Sequence, residues 1–256
     1  MSKTKLSSLG QAPLVLRLTD LGLVSSRPRK RVFATRLADL VDISDAITLS
    51  DFFAQLDGVS ASPQPIEPSA SDSVFAQHRS AMRASIDASF VTDDRQQVIE
   101  GKKTFELPTA SKNTLSAPEA TGRYERFYSL HQSELERRVA QLRKALIEHL
   151  QHKSDALAQV AAVEVALGPM LVKYSRHCFA KLPKLVGQRF EHLRQHQHQQ
   201  DWLAGEPQSW LQAGGWLAQF HDEVQHLLHA ELTLRLQPLE GMLSCLSSED
   251  PLGKNA

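Results

Sequence analysis

From Tyr124 onward the chain repeats a helical pattern of apolar positions. Tyr124, Tyr128, Leu135, Val139, Leu142, Leu146 and Leu150 follow one another at steps of three, four or seven residues. That spacing sets them on one face of one helix. Ser154-Asp155 can cap a second helix, whose expected inner face is Leu157, Val160, Leu167, Leu171, Tyr174 and Cys178. Val165, Val172, Phe179 and Val186 widen that surface, which puts this helix at the expected bundle centre. Gly168-Pro169 should kink or split it, since proline lacks an amide donor and crowds the preceding turn. Pro183 marks a further bend or a fresh helix start. Gly205 to Gly215 separates a last long helix carrying Leu217, Phe220, Val224, Leu227, Leu228 and Leu232, and Pro238 should end or bend it. Nothing here alternates with the period of a strand. Helices with such stripes bury them against one another. The expected fold is all-α: an antiparallel bundle of long helices, a small helical N-terminal region and flexible linkers.

Shorter patterns precede the bundle. Pro13 to Leu23, Arg31 to Val41 and the segment bearing Leu49, Phe52, Phe53 and Leu56 each fit a short helix. Gly58 to Ser73 is rich in Ser, Pro and Ala and has little to bury, so it reads as a linker. Phe75, Met82, Ile86 and Phe90 then keep helical register. Lys102 to Gly122 loses periodicity again. The expected layout is an N-terminal region over 1–57, a linker over 58–72, a helix over 73–100, a loop over 101–122, the bundle over 123–246 and a loose tail over 247–256.

Composition narrows the classes. Lys and Arg number 29, as do Asp and Glu, so no global field draws the chain to nucleic acid or anionic lipid. Charge is nonetheless segregated near the N-terminus. Basic residues dominate through Arg36, and Asp39, Asp42, Asp45, Asp51 and Asp57 follow; internal pairing or solvated charge is the expected reading. The cysteines, Cys178 and Cys245, form no metal spacing and fit buried apolar roles. No signal-type apolar core follows the first residues. The most apolar run, Ala156 to Val172, is interrupted by Gln159, Glu164 and Pro169 and is short for a bilayer. No membrane insertion and a cytoplasmic location are expected.

Candidate chemistry is sparse. His192 and His196 are four residues apart and share a helix face, which could supply one edge of a metal site. Glu223 and His226 form a single Glu-x-x-His, whereas di-iron bundles use two such motifs plus further glutamates. Glu134 and Glu148 read as exposed, and His221 and His229 as facing solvent or a partner. Neither metal pattern is complete, so no cofactor and no tightly bound metal is expected. Arg29, Lys30 and Arg31 lie in a basic elbow that suits an acidic partner better than nucleic acid, since no stacking aromatics adjoin it. Trp202, Trp210 and Trp216 flank the loop before the last helix, either pinning it or offering a protein contact. There is no G-x-S-x-G, HExxH, P-loop or dinucleotide fingerprint, and no catalytic residue is assigned.

Two segments carry a resemblance. One is Leu37-Ala-Asp-Leu-Val-Asp-Ile-Ser-Asp-Ala-Ile-Thr-Leu-Ser50. The other runs from Leu185 through Gln188-Arg-Phe-Glu-His-Leu193 to Trp216-Leu-Ala-Gln-Phe220 and Ala230-Glu-Leu-Thr-Leu-Arg-Leu-Gln-Pro-Leu239. Together they resemble a proteobacterial domain-of-unknown-function family, number 3348. Its members are often encoded beside proton-channel proteins of the MotA/TolQ/ExbB type and OmpA-like envelope proteins. The resemblance implies a role alongside such a complex and brings no catalytic residues. The leading expectation is a non-enzymatic cytoplasmic interaction or scaffold protein. The alternative is a metal-binding helical bundle with an oxidoreductase or storage role.

Overall fold

The computed structural model describes residues 13–23, 43–61, 70–91, 105–108, 110–111, 115, 117, 119–198 and 207–248. The helix expected over 31–41, the basic elbow and Trp202 lie outside them. So do most of the 58–72 linker, residues 92–104 and the tail beyond 248. Among the described residues the chain is all-α, with no strand. In order come α1 Pro13–Asp20, α2 Ile43–Gln55 with a 3-10 turn Leu56–Gly58, α3 Ala70–Ala88, α4 Ala120–Lys153, α5 Asp155–Phe179, α6 Leu182–His198, the single turn α7 Pro207–Trp210, and α8 Trp216–Ser248.

Local chemistry sets several of these ends. α1 stops in a Schellman motif: Leu23 N–H donates to Leu18 C=O and Gly22 N–H to Thr19 C=O, both at 2.9 Å. Gly22 has φ 69°, a left-handed conformation that glycine adopts without a Cβ penalty. α3 ends at Ala88, well short of residue 100. There Ser89 N–H and Phe90 N–H bond to Ile86 and Asp87 carbonyls, tightening the last turn. Ser154 is the only residue between α4 and α5. Its extended backbone and its Oγ, accepting from Leu157 N–H at 3.2 Å, form the expected cap. α5 runs through Pro169 unsplit, α8 runs through Pro238, and Pro183 sits in the first turn of α6, where a missing amide costs little.

The chain forms two compact units. In the first, built on α1, α6 and the N-terminal halves of α4 and α8, the aromatic rings of Tyr124, Phe190 and Phe220 meet with centroids 4.7 to 5.3 Å apart. Met82, Ile86, Val186, Leu217, Val224 and Leu228 are buried in this unit, and Leu14 and Leu18 bury one side of α1. Gly187 on α6 faces Thr121 and Glu125 of α4 so closely that a Cβ would collide with both.

The second unit contains α2, α5 and the C-terminal halves of α4 and α8. Val139, Leu142, Leu146 and Leu150 are buried along α4, and Leu236, Leu239, Met242 and Leu246 along α8. α2 and its 3-10 turn pack against α5. α5 departs from expectation. Its buried residues are Leu157, Ala158, Ala161, Gly168 and Phe179. Val165 and Tyr174 are exposed, and Leu167 and Leu171 are half-buried. Between Leu157 and Phe179 only Ala158, Ala161 and Gly168 are buried, so the helix is not the bundle centre. Cys178 is correspondingly exposed, and Cys245 half-buried, rather than both lying in the core.

Candidate functional site

The first unit buries polar groups on the helix stripes themselves. Glu231 of α8 is fully buried. Its Oε2 accepts from the Tyr128 hydroxyl at 2.9 Å, and both of its oxygens accept from Gln132 at 3.0 and 3.2 Å. One turn on, Arg235 donates to Oε1 through Nε at 2.8 Å and pairs with it through a second guanidinium nitrogen at 2.7 Å. A buried carboxylate is tolerable only when its lone pairs are met, and here three side chains meet them. Burial pushes the Tyr128 hydroxyl well above its ordinary range, and the adjoining Glu231 charge adds to it. Tyr128 therefore stays a donor at any physiological pH.

Two histidines of this unit are buried as well. His221 Nε2 is 3.2 Å from the Tyr124 hydroxyl, and burial holds His221 down to about 4. His131 is surrounded by Phe90, Phe105 and Phe127, with ring centroids 4.8 to 6.5 Å away. Burial likewise lowers it to about 4, and its Nε2 is buried without a hydrogen-bond partner. Both rings are neutral near pH 7. The outer surface carries a clamp between elements: Asp87 of α3 accepts from Gln225 at 2.8 Å and lies 2.6 Å from His229 Nε2. Burial acts to raise the Asp87 pKa, but the bonds from Gln225 and His229 prevail and it is lowered.

A further ion pair joins α6 to α8. Glu223 is held by Arg189 through two 2.7 Å bonds, which raise the guanidinium's pKa further. Glu223 is thus engaged away from His226, whose Nδ1 lies 2.7 Å from the Asp222 carbonyl of its own helix. His192 and His196 do come together, with Nε2 atoms 3.0 Å apart on the exposed side of α6. Among the described residues no group of three or more His, Cys, Asp and Glu is placed to hold a metal. Trp210 and Trp216 are buried, their centroids 6.2 Å apart, and Trp216 stacks towards Phe190 at 5.8 Å. They pin the turn before α8 and leave little indole surface for a partner. Arg29, Lys30, Arg31 and Trp202 lie outside the described residues.

A family model for proteins of unknown function, DUF3348, matches residues 1–248. The chain belongs to the DUF3348 family. No curated protein and no solved structure matches it. Family membership thus fixes the kind of chain and leaves the site to be read from its own residues. In this DUF3348 member the buried polar residues were missed by hydrophobic pattern alone. His221 and His229 were expected outside; His221 is buried and His229 is held by Asp87. The signal was present in the spacing. His131 continues the Tyr124, Tyr128, Leu135 stripe, His221 lies between Leu217 and Val224, and Glu231 follows Leu227 by one turn. A polar residue on an apolar stripe is the mark of an internal hydrogen-bond network.

Proposed function

We propose that this DUF3348 protein is a non-enzymatic interaction or scaffold protein, accessory to an envelope-associated proton-channel complex and working from the cytoplasm. The observation that carries the interaction role is the apolar surface left uncovered on the second unit. Val165 of α5 is 53% exposed, and Ile47 and Phe53 of α2 are 59% and 51% exposed. The described stretch Asp155–His196 holds an 18-residue window long and apolar enough, by composition, to cross a membrane, and only 22% of that window is buried. A core helix of that composition is ordinarily covered, and uncovered apolar surface of this extent commonly marks a contact site. The buried Glu231 network supports the same reading, since its polar groups hold α4 to α8. The proton-channel partner is drawn from the family resemblance.

Site-specific photo-crosslinking in the native cell tests this. A crosslinker at Val165 or Ile47 should trap one discrete protein partner of the proton-channel class. A crosslinker at the exposed Gln141 should not trap it. Equal, diffuse crosslinking from all three positions would remove the scaffold reading.

A further inference from the structure

We propose that His192 and His196 form a surface chelate for a divalent transition metal of the copper(II) or nickel(II) type. The two side chains lie one turn apart on α6. Their Nε2 atoms are 3.0 Å apart, and their ring centroids 4.3 Å. At this separation the Nε2–H of one ring donates to the Nε2 lone pair of the other. When the donor ring carries its proton on Nδ1 instead, both Nε2 lone pairs are open and one metal ion engages them together.

The two nitrogens lie close enough to share one ion. With metal–nitrogen bonds of about 2.05 Å, two ligands at a tetrahedral angle lie about 3.3 Å apart. Two ligands at a right angle lie about 2.9 Å apart, the edge found in square-planar and tetragonal sites. The separation seen on α6 is within reach of the right-angled edge, and copper(II) stands highest for imidazole donors in the affinity order of these divalent ions. Both rings are exposed, and the terminal torsion of histidine is soft, so each ring turns its lone pair towards a common point at small cost. Glu191, which precedes His192 in the chain, is engaged elsewhere. Glu191 Oε1 accepts from Arg194 and Gln195 at 2.8 and 2.9 Å. With two protein ligands the ion is exchangeable, and its other positions are open to water or to donors from outside this chain. Such a site differs from a buried resident metal centre, which needs three or more ligands and an ordered second shell.

The test uses the full chain, purified without a histidine tag and treated with chelator. Copper(II) and nickel(II) are titrated separately by calorimetry in a non-coordinating buffer, and the copper signal is read by electron paramagnetic resonance. Wild type should take up copper(II) at this pair with hyperfine structure from two imidazole nitrogens. His192→Ala and His196→Ala should each weaken that site by about tenfold or more, because the second imidazole otherwise acts at an effective concentration in the millimolar range. His226→Ala, which alters an exposed histidine paired with its own helix backbone, should leave the site unchanged. Circular dichroism should be the same for all variants, since none of these rings is buried. Absence of copper uptake at micromolar concentration would overturn the proposal. So would uptake and a two-nitrogen spectrum that survive in the His192→Ala/His196→Ala double variant.

Discussion

The Tyr128 hydroxyl donates to Glu231 at 2.9 Å, joining α4 to α8 across 103 residues of sequence with the carboxylate fully buried. Such a bond carries different weight at its two ends. Tyr128→Phe removes one donor from a carboxylate that keeps Gln132 and Arg235, and should cost about 1 kcal/mol. Glu231→Ala removes at once the buried acceptor shared by Tyr128, Gln132 and Arg235 and should cost about 3–5 kcal/mol. Urea denaturation of the two variants checks the ranking. Equal losses would mean that the three donors are met by water or by other groups once Glu231 is gone.

Leu142 lies on the buried stripe of α4, whereas Leu171 of α5 is only half-buried. Leu142→Ala should destabilise by about 2–5 kcal/mol through lost transfer energy and the cavity left behind. Leu171→Ala should cost clearly less, because less of its surface was removed from water. Parallel denaturation curves with equal slopes provide the comparison.

That contrast shows what was legible in the sequence. The α4 stripe reads correctly because large residues at helical spacing have one way to be buried. The α8 stripe does so for the same reason. α5 is apolar on nearly every side, so periodicity could not choose a face. The side it buries carries Leu157, Ala158, Ala161, Gly168 and Phe179, while Leu167 and Leu171 are half-buried and Tyr174 is exposed. The Glu231 network was half-legible. Its members sit on stripe positions, but their pairing depends on which residues of α4 and α8 come level, and no local pattern encodes that.

Acid should weaken the fold before it titrates most carboxylates. His131 and His221 have folded-state values near 4, below the ordinary 6.5. The unfolded chain therefore binds more protons between those values, and stability falls as pH drops from about 6.5 to about 4. Each histidine contributes on the order of 2–4 kcal/mol over that span. Asp87 acts in the same direction at lower pH, since its folded value lies below 3.8. His131→Phe, placed among three phenylalanines, should flatten the upper part of the profile. Thermal melts from pH 7 to pH 4 for wild type and this variant give the answer. Identical slopes would mean that His131 is solvated in the folded protein.

Two glycines should respond oppositely to alanine. At Gly187 a Cβ would meet Glu125 and Thr121, so Gly187→Ala should destabilise by about 1–3 kcal/mol despite its better helix propensity. At Gly241, in the exposed interior of α8, nothing lies within 4 Å of a Cβ. Gly241→Ala should stabilise by about 0.5–1 kcal/mol. Melting temperatures moving apart in these directions would support the close approach of α6 to α4.

The single residue between α4 and α5 has a consequence for how this chain can lengthen. Ser154 caps α5, so the cap fixes the angular phase of everything after it. One residue inserted just beyond Asp155 would turn the rest of α5 by about 100° about its axis. Ala161, Gly168 and Phe179 would swing out of the interior together, and bulkier neighbours would swing in. Four inserted residues come back almost to the starting phase, leaving about 40° of error. Length variation in this helix is therefore quantised: steps near a whole turn preserve its packed side, and single-residue steps erase it.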